Sequence, residues 1–153
     1  MIVGLNEFSS YFARHLFEAF PWLEQHGRLD PHPQADEGSL IVEYSPEPVR
    51  TDCQLWISTD DREVTIGFGM FHAHFDWPGD DEDEFREDPI VFLGDLVEER
   101  TLIEDWTKSG KWSGSSTLDR NEEPDTDDMA EDAVVYVRSW TGAHDRVIRH
   151  AGS

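Results

Sequence analysis

The chain has 153 residues, the size of one domain, and its 37% hydrophobic and 12% aromatic content excludes a disordered protein. Its 34 acidic residues outnumber 12 Lys and Arg residues and give a net charge of −22. A field of that sign repels nucleic acid and anionic membranes, so neither is expected as a direct ligand, whereas basic proteins are attracted. Solubility alone is the alternative explanation of the charge.

The cysteine count and the N-terminus indicate a soluble protein of the cytoplasm. Cys53 is the only cysteine, so an intramolecular disulfide and a CxxC motif are excluded. The first residues lack the basic and apolar regions of a signal peptide, and no apolar run approaches 18 residues. We therefore expect one cytoplasmic domain over residues 1–153.

The first third of the chain predicts a helix, a loop and a strand. Apolar residues recur every three or four positions over residues 6–23, which indicates an amphipathic helix. Asn6 is expected to cap this helix, and Pro21 to end or kink it. The prolines and glycines of residues 27–38 predict a surface loop, and residues 40–44 a short strand.

A β-hairpin is predicted over residues 53–75, where two apolar runs flank the polar break at residues 59–62. Alternation in the second run places on one face Val64, Ile66, Phe68 and Met70. The same period continued along the strand adds to that face His72, His74 and Asp76. Gly67 and Gly69 fall on the opposite face, which suggests a bulge or the close packing of another backbone.

The second half of the chain predicts a long helix followed by strands. Asp88 and Pro89 form a helix start, and the apolar spacing extends the predicted helix to Lys108, before Gly110. Residues 111–118 predict a weakly patterned strand, and residues 133–140 and 146–150 a pair of strands. Short links between neighbouring strands favour antiparallel pairing. We expect an α+β fold, one mostly antiparallel sheet of five to six strands with two helices on one face.

Two acidic loops, at about residues 78–88 and 119–132, are the predicted partner-binding segments. Their candidate binding residues are Asp80, Asp81, Glu82, Asp83, Glu84, Asp125, Asp127 and Asp128. The last three resemble part of a calcium loop, but Met129 and Ala130 stand where that loop needs an oxygen ligand and a glycine. A calcium site is therefore disfavoured.

The compact group of metal-ligand types is His72, His74 and Asp76. Two imidazoles and a carboxylate on one strand face could hold zinc and leave a position open for water, as a metal-dependent hydrolase requires. The alternative is a polar strand end that faces solvent. No GxSxG, HExxH or Walker motif is present, so no catalytic residue and no cofactor is assigned.

The segment from Leu55 to Trp77, with its elements LWIST, EVTIGF and HAHFDW, resembles a stretch of bacterial immunity proteins of polymorphic toxin systems. The resemblance covers 23 of the 153 residues. It implies a small, acidic, non-catalytic cytoplasmic protein that binds and blocks a cognate toxin, often a basic nuclease. It carries over no binding residue. The leading hypothesis is therefore an acidic inhibitor of a basic partner, and the alternative is the metal-dependent hydrolase.

Overall fold

The computed structural model describes residues 2–60, 62–78 and 88–151, which form two antiparallel sheets and flanking helices. The helices are α1 (Glu7–Ala19), a 3₁₀ helix (Pro21–His26) and α2 (Pro89–Val97). The first sheet contains, in this order, β1 (Gly27–Asp30), β2 (Ser39–Tyr44), β3 (Leu55–Thr59), β4 (Glu63–Phe68) and β5 (Phe71–Asp76). The second sheet contains β6 (Thr101–Lys108), β7 (Lys111–Asp119), β8 (Ala133–Arg138) and β9 (Arg146–Arg149), arranged as β7-β6-β8-β9.

The predicted α+β class is confirmed, whereas the prediction of a single sheet is wrong. The two sheets have five and four strands, and every strand pair in them is antiparallel. One of the three extra strands arises because a turn at Gly69 and Met70 divides the predicted second strand of the hairpin into β4 and β5. The other two come from segments to which the sequence pattern assigned a loop and a helix. Residues 27–30 of the predicted loop form β1, and residues 101–108 of the predicted helix form β6.

Helix α1 forms where its apolar spacing and its cap predict it. Asn6 accepts a hydrogen bond from the Ser9 backbone N–H at 2.8 Å, which satisfies one of the free donors of the first turn. Phe12 and Leu16, four positions apart, are fully buried against the first sheet. The helix ends at Ala19, and Pro21 opens the 3₁₀ helix instead of continuing α1.

Helix α2 starts as predicted and stops about ten residues early. Asp88 caps it by accepting from the Ile90 backbone N–H at 2.8 Å, with Pro89 as the first helical residue. Glu99 then takes a φ of +60°, in the left-handed region, which ends the helical path. The chain emerges as strand β6, in which Leu102 and Ile103 are buried in different apolar clusters. An apolar stripe that suits a helix here serves a strand buried on both faces.

The main core lies between the inner face of the first sheet and both α-helices. Inner-face residues of β2 to β5 that are fully or almost fully buried are Leu40, Val42, Leu55, Ile57, Val64, Ile66, Phe68, Phe71 and Phe75. Phe92 of α2 packs on Phe71 and Phe75, with ring centroids 5.9 and 5.5 Å away. Ile103 of β6 also belongs to this core, so the second sheet is joined to the first through shared apolar packing.

A polar contact also joins the two sheets, between the β2–β3 connection (45–54) and the β8–β9 connection (139–145). Arg50 forms an ion pair with Asp145 and donates to the carbonyl oxygens of Ser139, at 2.5 Å, and Trp140, at 3.0 Å. Asp145 in turn accepts from the Ser139 backbone N–H at 2.7 Å. The guanidinium is therefore the donor that fixes both connections against each other.

Candidate functional site

The acidic residues predicted to bind a partner fall in two connections of the fold. The first group, Asp80, Asp81, Glu82, Asp83 and Glu84, lies outside the described residues. The second group consists of Asp125, Asp127 and Asp128, which lie between β7 and β8 and have exposed side chains. We call residues 119–132 the acidic loop below.

The acidic loop has a defined conformation because apolar residues anchor it to the second sheet. Pro124 is buried, and Met129 packs against a cluster of Leu102, Leu118, Val135 and Val137. Asp125 accepts from the Asp127 backbone N–H at 3.2 Å, and the Met129 backbone N–H donates to the Thr126 carbonyl at 3.2 Å. These turns fix where the carboxylates stand relative to the sheet.

A cavity of about 150 Å³ lies between the loop and the sheet, lined by Trp106, Asp125, Asp128 and Met129. Trp106 comes from β6 and packs on the same cluster as Met129. An aromatic ring and carboxylates both attract a Lys or Arg side chain, the ring through its negative face and the carboxylates through charge. The cavity thus has the chemistry of a recess for one cationic side chain, and Asp127 stands outside its lining.

The loop also carries negative charge that the described residues leave largely uncompensated. It contains eight exposed carboxylates and one cation, Arg120. Within the described part of the chain, Glu123 is the member of this set in an ion pair, with two oxygens 2.6 and 2.7 Å from Arg146 Nη1. Asp132 accepts from the Ser109 hydroxyl, which holds the pKa of this exposed carboxyl below its ordinary value.

The three residues of the metal hypothesis lie on β5, on the face opposite to the one predicted. A turn at Gly69 and Met70, with Gly69 at φ +61°, ends β4 and starts β5. The register pairs His72 with Gly67 and His74 with Thr65, so both imidazoles stand on the outer face of the sheet. The prediction that they share the face of Val64, Ile66 and Phe68 is wrong, because the turn breaks the period-2 alternation.

The outer-face histidines have contacts of their own. His74 Nδ1 lies 2.7 Å from Glu63 Oε1 and 2.9 Å from Thr65 Oγ1, and the His72 and His74 ring centroids are 5.4 Å apart. Among the residues that the structure describes, no group of three or more His, Cys, Asp or Glu side chains has an arrangement able to hold a metal ion. The metal-dependent hydrolase stays an untested alternative.

The sequence pattern does not reveal the positions of two tryptophans. Trp106 lies beside the acidic loop, and Trp56 lies on the outer face of the first sheet. Trp106 lies in the segment that the sequence predicts as a helix ending at Lys108, so the residue spacing does not place it in one cavity with Asp125. Trp56 lies across Gly67, where an added Cβ would come within 1.9 Å of the indole Nε1. Both glycines signal a close approach: at Gly67 the approaching group is this side chain, and at Gly69 it is another backbone, since an added Cβ would stand 2.4 Å from the Asp52 carbonyl oxygen.

Among the described residues, the two titratable groups with raised pKa values are held in the interior. Burial raises the pKa of the Cys53 thiol to about 12, so it is protonated at neutral pH and packs as a small residue of the core. Burial also raises the pKa of Asp105, against the opposing effects of a 2.5 Å hydrogen bond from Ser115 and the charge of Arg138. Neither group is part of the lining of the acidic loop cavity.

Comparisons with protein-family models, with curated proteins and with solved structures give no match to this chain. Across residues 2–60, 62–78 and 88–151, no helix has the length and apolar character that crossing a bilayer requires.

Proposed function

We propose that this chain is a non-catalytic, immunity-type inhibitor that neutralises a basic partner protein such as a toxin. The observation that carries the proposal is the cavity beside the acidic loop, whose lining includes Asp125, Asp128 and Trp106. The recess suits a Lys or Arg side chain of the partner, because a cation there meets a ring face and two carboxylates together.

Uncompensated charge supports the same proposal at longer range. The field of a chain with net charge −22 accelerates the encounter with a basic protein and disfavours nucleic acid, whose phosphates carry the same sign. An inhibitor that covers a basic surface would occupy the groups that surface uses to bind its substrate. The anchored loop adds to affinity, because less conformational freedom is lost when its carboxylates engage.

The test starts with capture of a partner from the organism that encodes this chain, using the purified protein as bait at low salt. We expect a basic protein in a stoichiometric complex whose activity is lost on binding. A triple variant, Asp125→Asn, Asp127→Asn and Asp128→Asn, should slow association by about tenfold at low ionic strength, and by less as salt screens the charges beyond about 8 Å at physiological strength.

The matched control removes three exposed carboxylates elsewhere, Glu7→Gln, Glu18→Gln and Glu37→Gln, and changes the net charge by the same amount. If the loop acts locally, the control associates at nearly the wild-type rate. Equal slowing in both triple variants would mean that only total charge matters and would remove the acidic loop as the site. Capture of acidic proteins alone would contradict the proposed function itself.

A further inference from the structure

The five-stranded sheet has a second face, turned away from the helices, that carries a set of polar and aromatic side chains. The register places on this outer face Arg28, Asp30, Ile41, Glu43, Trp56, Ser58, Glu63, Thr65, Gly67, His72, His74 and Asp76. Glu43, His72, His74 and Asp76 are exposed there, and Trp56 is half-buried. The opposite face is sealed by the main core, so the outer face is the side of this sheet that can meet another molecule.

One row of this face runs across four strands and is organised around Trp56. The cross-strand partners are Glu43 with Trp56, Trp56 with Gly67, and Gly67 with His72. Gly67 leaves the space that the indole fills, since a Cβ there would stand 1.9 to 2.5 Å from three indole atoms. The ring therefore lies flat across β4 and reaches towards His72, with ring centroids 6.4 Å apart.

A glycine inside a strand weakens it by roughly 0.5 to 1 kcal/mol relative to alanine, so Gly67 is destabilising unless the flattened indole offsets it. Covering the glycine backbone is one use of the ring. The flat placement also keeps the half-buried ring on the outer face of the sheet, where Glu43 is its cross-strand partner. A ring held flat in a strand has little freedom left to lose when a ligand settles on it.

The charges of the outer face determine which charge its ligand must carry. Four carboxylates, Asp30, Glu43, Glu63 and Asp76, stand against one arginine, Arg28, which lies 3.7 Å from Glu43. Two copies of such a face would repel each other, which argues against a second copy of this chain as the occupant. A cation above the Trp56 ring would meet the ring quadrupole and a neighbouring carboxylate together.

We infer that the outer face is a docking surface for the basic partner, with an Arg or Lys side chain of that partner seated on the Trp56 indole between Glu43 and His72. The inference rests on the proposed function and adds to it a second contact, separate from the acidic loop. The sheet face measures about 20 by 20 Å, from strands roughly 4.8 Å apart and six residues long. It supplies about half of the roughly 800 Å² that a stable interface takes from each partner, so further surface must contribute.

The test is a titration of the ¹⁵N-labelled protein with a triarginine peptide at low salt, followed by NMR. We expect the NMR signals of the Trp56 indole N–H and of the Glu43 and His72 amides to shift, and all three to give the same Kd for the peptide. Trp56→Leu and Gly67→Ala, whose Cβ would displace the ring, should each raise the Kd of the peptide by about threefold or more, the scale of an exposed cation–π contact. Trp112→Leu, an exposed tryptophan on β7, is the matched control and should bind as wild type does.

A Glu43→Gln variant keeps the inference testable if Gly67→Ala fails to fold, since this exposed side chain leaves the core untouched. This variant too should raise the Kd of the peptide. Shifts confined to residues 119–132, with Trp56 unmoved, would overturn the docking surface and leave the proposed function standing. Absence of any shift would count against both, and shifts that appear on concentrating the protein without peptide would assign the face to self-association and overturn the inference.

Discussion

Buried carboxylates are rare in this acidic chain. Within the described residues, Glu99 and Asp105 are the two that lose nearly all contact with solvent, at 8% and 6% exposure. Each is tied to specific donors: Thr141 donates to Glu99, and Ser115 donates to Asp105. The other carboxylates leave the interior to apolar groups, because an ion in a low-dielectric core is costly unless it is paired and hydrogen-bonded.

Asp105→Asn tests the effect of burial at a single residue. The amide keeps a carbonyl oxygen to accept from Ser115 while it removes the buried charge. Because the folded-state pKa of Asp105 is raised, wild-type stability falls as pH rises from about 4, the unfolded value, through the folded value. The variant should lack this fall, so its advantage in melting temperature should grow from pH 4 to pH 8.

Asp128→Asn is the control for that measurement, since its exposed side chain undergoes no comparable burial. Its difference from wild type should stay nearly constant over the same pH range. A gap for Asp105→Asn that narrows as pH rises would mean that the charge of Arg138 outweighs burial at this site.

At the scale of elements, the turn between α2 and β6 decides how the chain divides into helix and strand. Glu99 holds a φ of +60°, which for a residue with a Cβ costs roughly 1 kcal/mol or more. Its side chain accepts from the backbone N–H of Thr141 at 3.1 Å and from the Thr141 hydroxyl. The turn is thus held by a contact 42 residues away in the sequence, which local pattern cannot reveal.

Replacing Glu99 by alanine and by glycine separates the contact from the backbone strain. Glu99→Ala loses the acceptor and keeps the strain, so we expect it to unfold about 1 to 3 kcal/mol more easily than wild type in urea. Glu99→Gly loses the acceptor but relaxes the backbone, and should be about 1 kcal/mol more stable than the alanine variant.

The neighbouring Glu98 provides a matched control, because its φ of −85° is ordinary for any residue. There the order should reverse, with Glu98→Gly less stable than Glu98→Ala. If the alanine variant is more stable than the glycine variant at both positions, the left-handed turn does not govern stability at Glu99.

At the scale of the whole molecule, two sheets are joined by a shared apolar core and by two ion pairs among the described residues, Arg50 with Asp145 and Arg138 with Asp52, the latter at 3.0 Å. Ile103 and Trp140 belong to the main core although they lie in or beside the second sheet. Arg50, 18% exposed, links the β2–β3 connection to Asp145 and to the carbonyls of Ser139 and Trp140. Removing it would leave Asp145 and two carbonyl groups without this donor.

We therefore expect Arg50→Met to lower the free energy of unfolding by about 2 kcal/mol or more, since one partner of a largely buried ion pair remains uncompensated. Arg28→Met is the matched control, because the Arg28–Glu43 pair is 3.7 Å long and more than half exposed on both sides. Its loss should change stability by less than about 0.5 kcal/mol in the same urea titration. Similar losses in both variants would show that Arg50 does not join the sheets.

Several patterns that span a few residues predict the structure correctly because the deciding interaction is local, although the local turn at Gly69 and Met70 is not among them. The cap at Asn6, the helix start at Asp88 and Pro89, and the pairing of the strands near residues 133–138 and 146–149 follow from neighbouring residues. The main core residues of α1 and β4 also follow, because apolar spacing reports which side of an element is buried.

The sequence by itself determined the α+β class, the acidic character and the exposed position of Asp125, Asp127 and Asp128. Only the tertiary structure decided that residues 101–108 form a strand, because Thr141, in the connection that follows the neighbouring strand β8, stabilises the turn at Glu99. It alone also decided that His72 and Trp56 share an outer face, and that Trp106 meets the acidic loop. These placements depend on turns and long-range packing, whose energies do not appear in the spacing of residues along the chain.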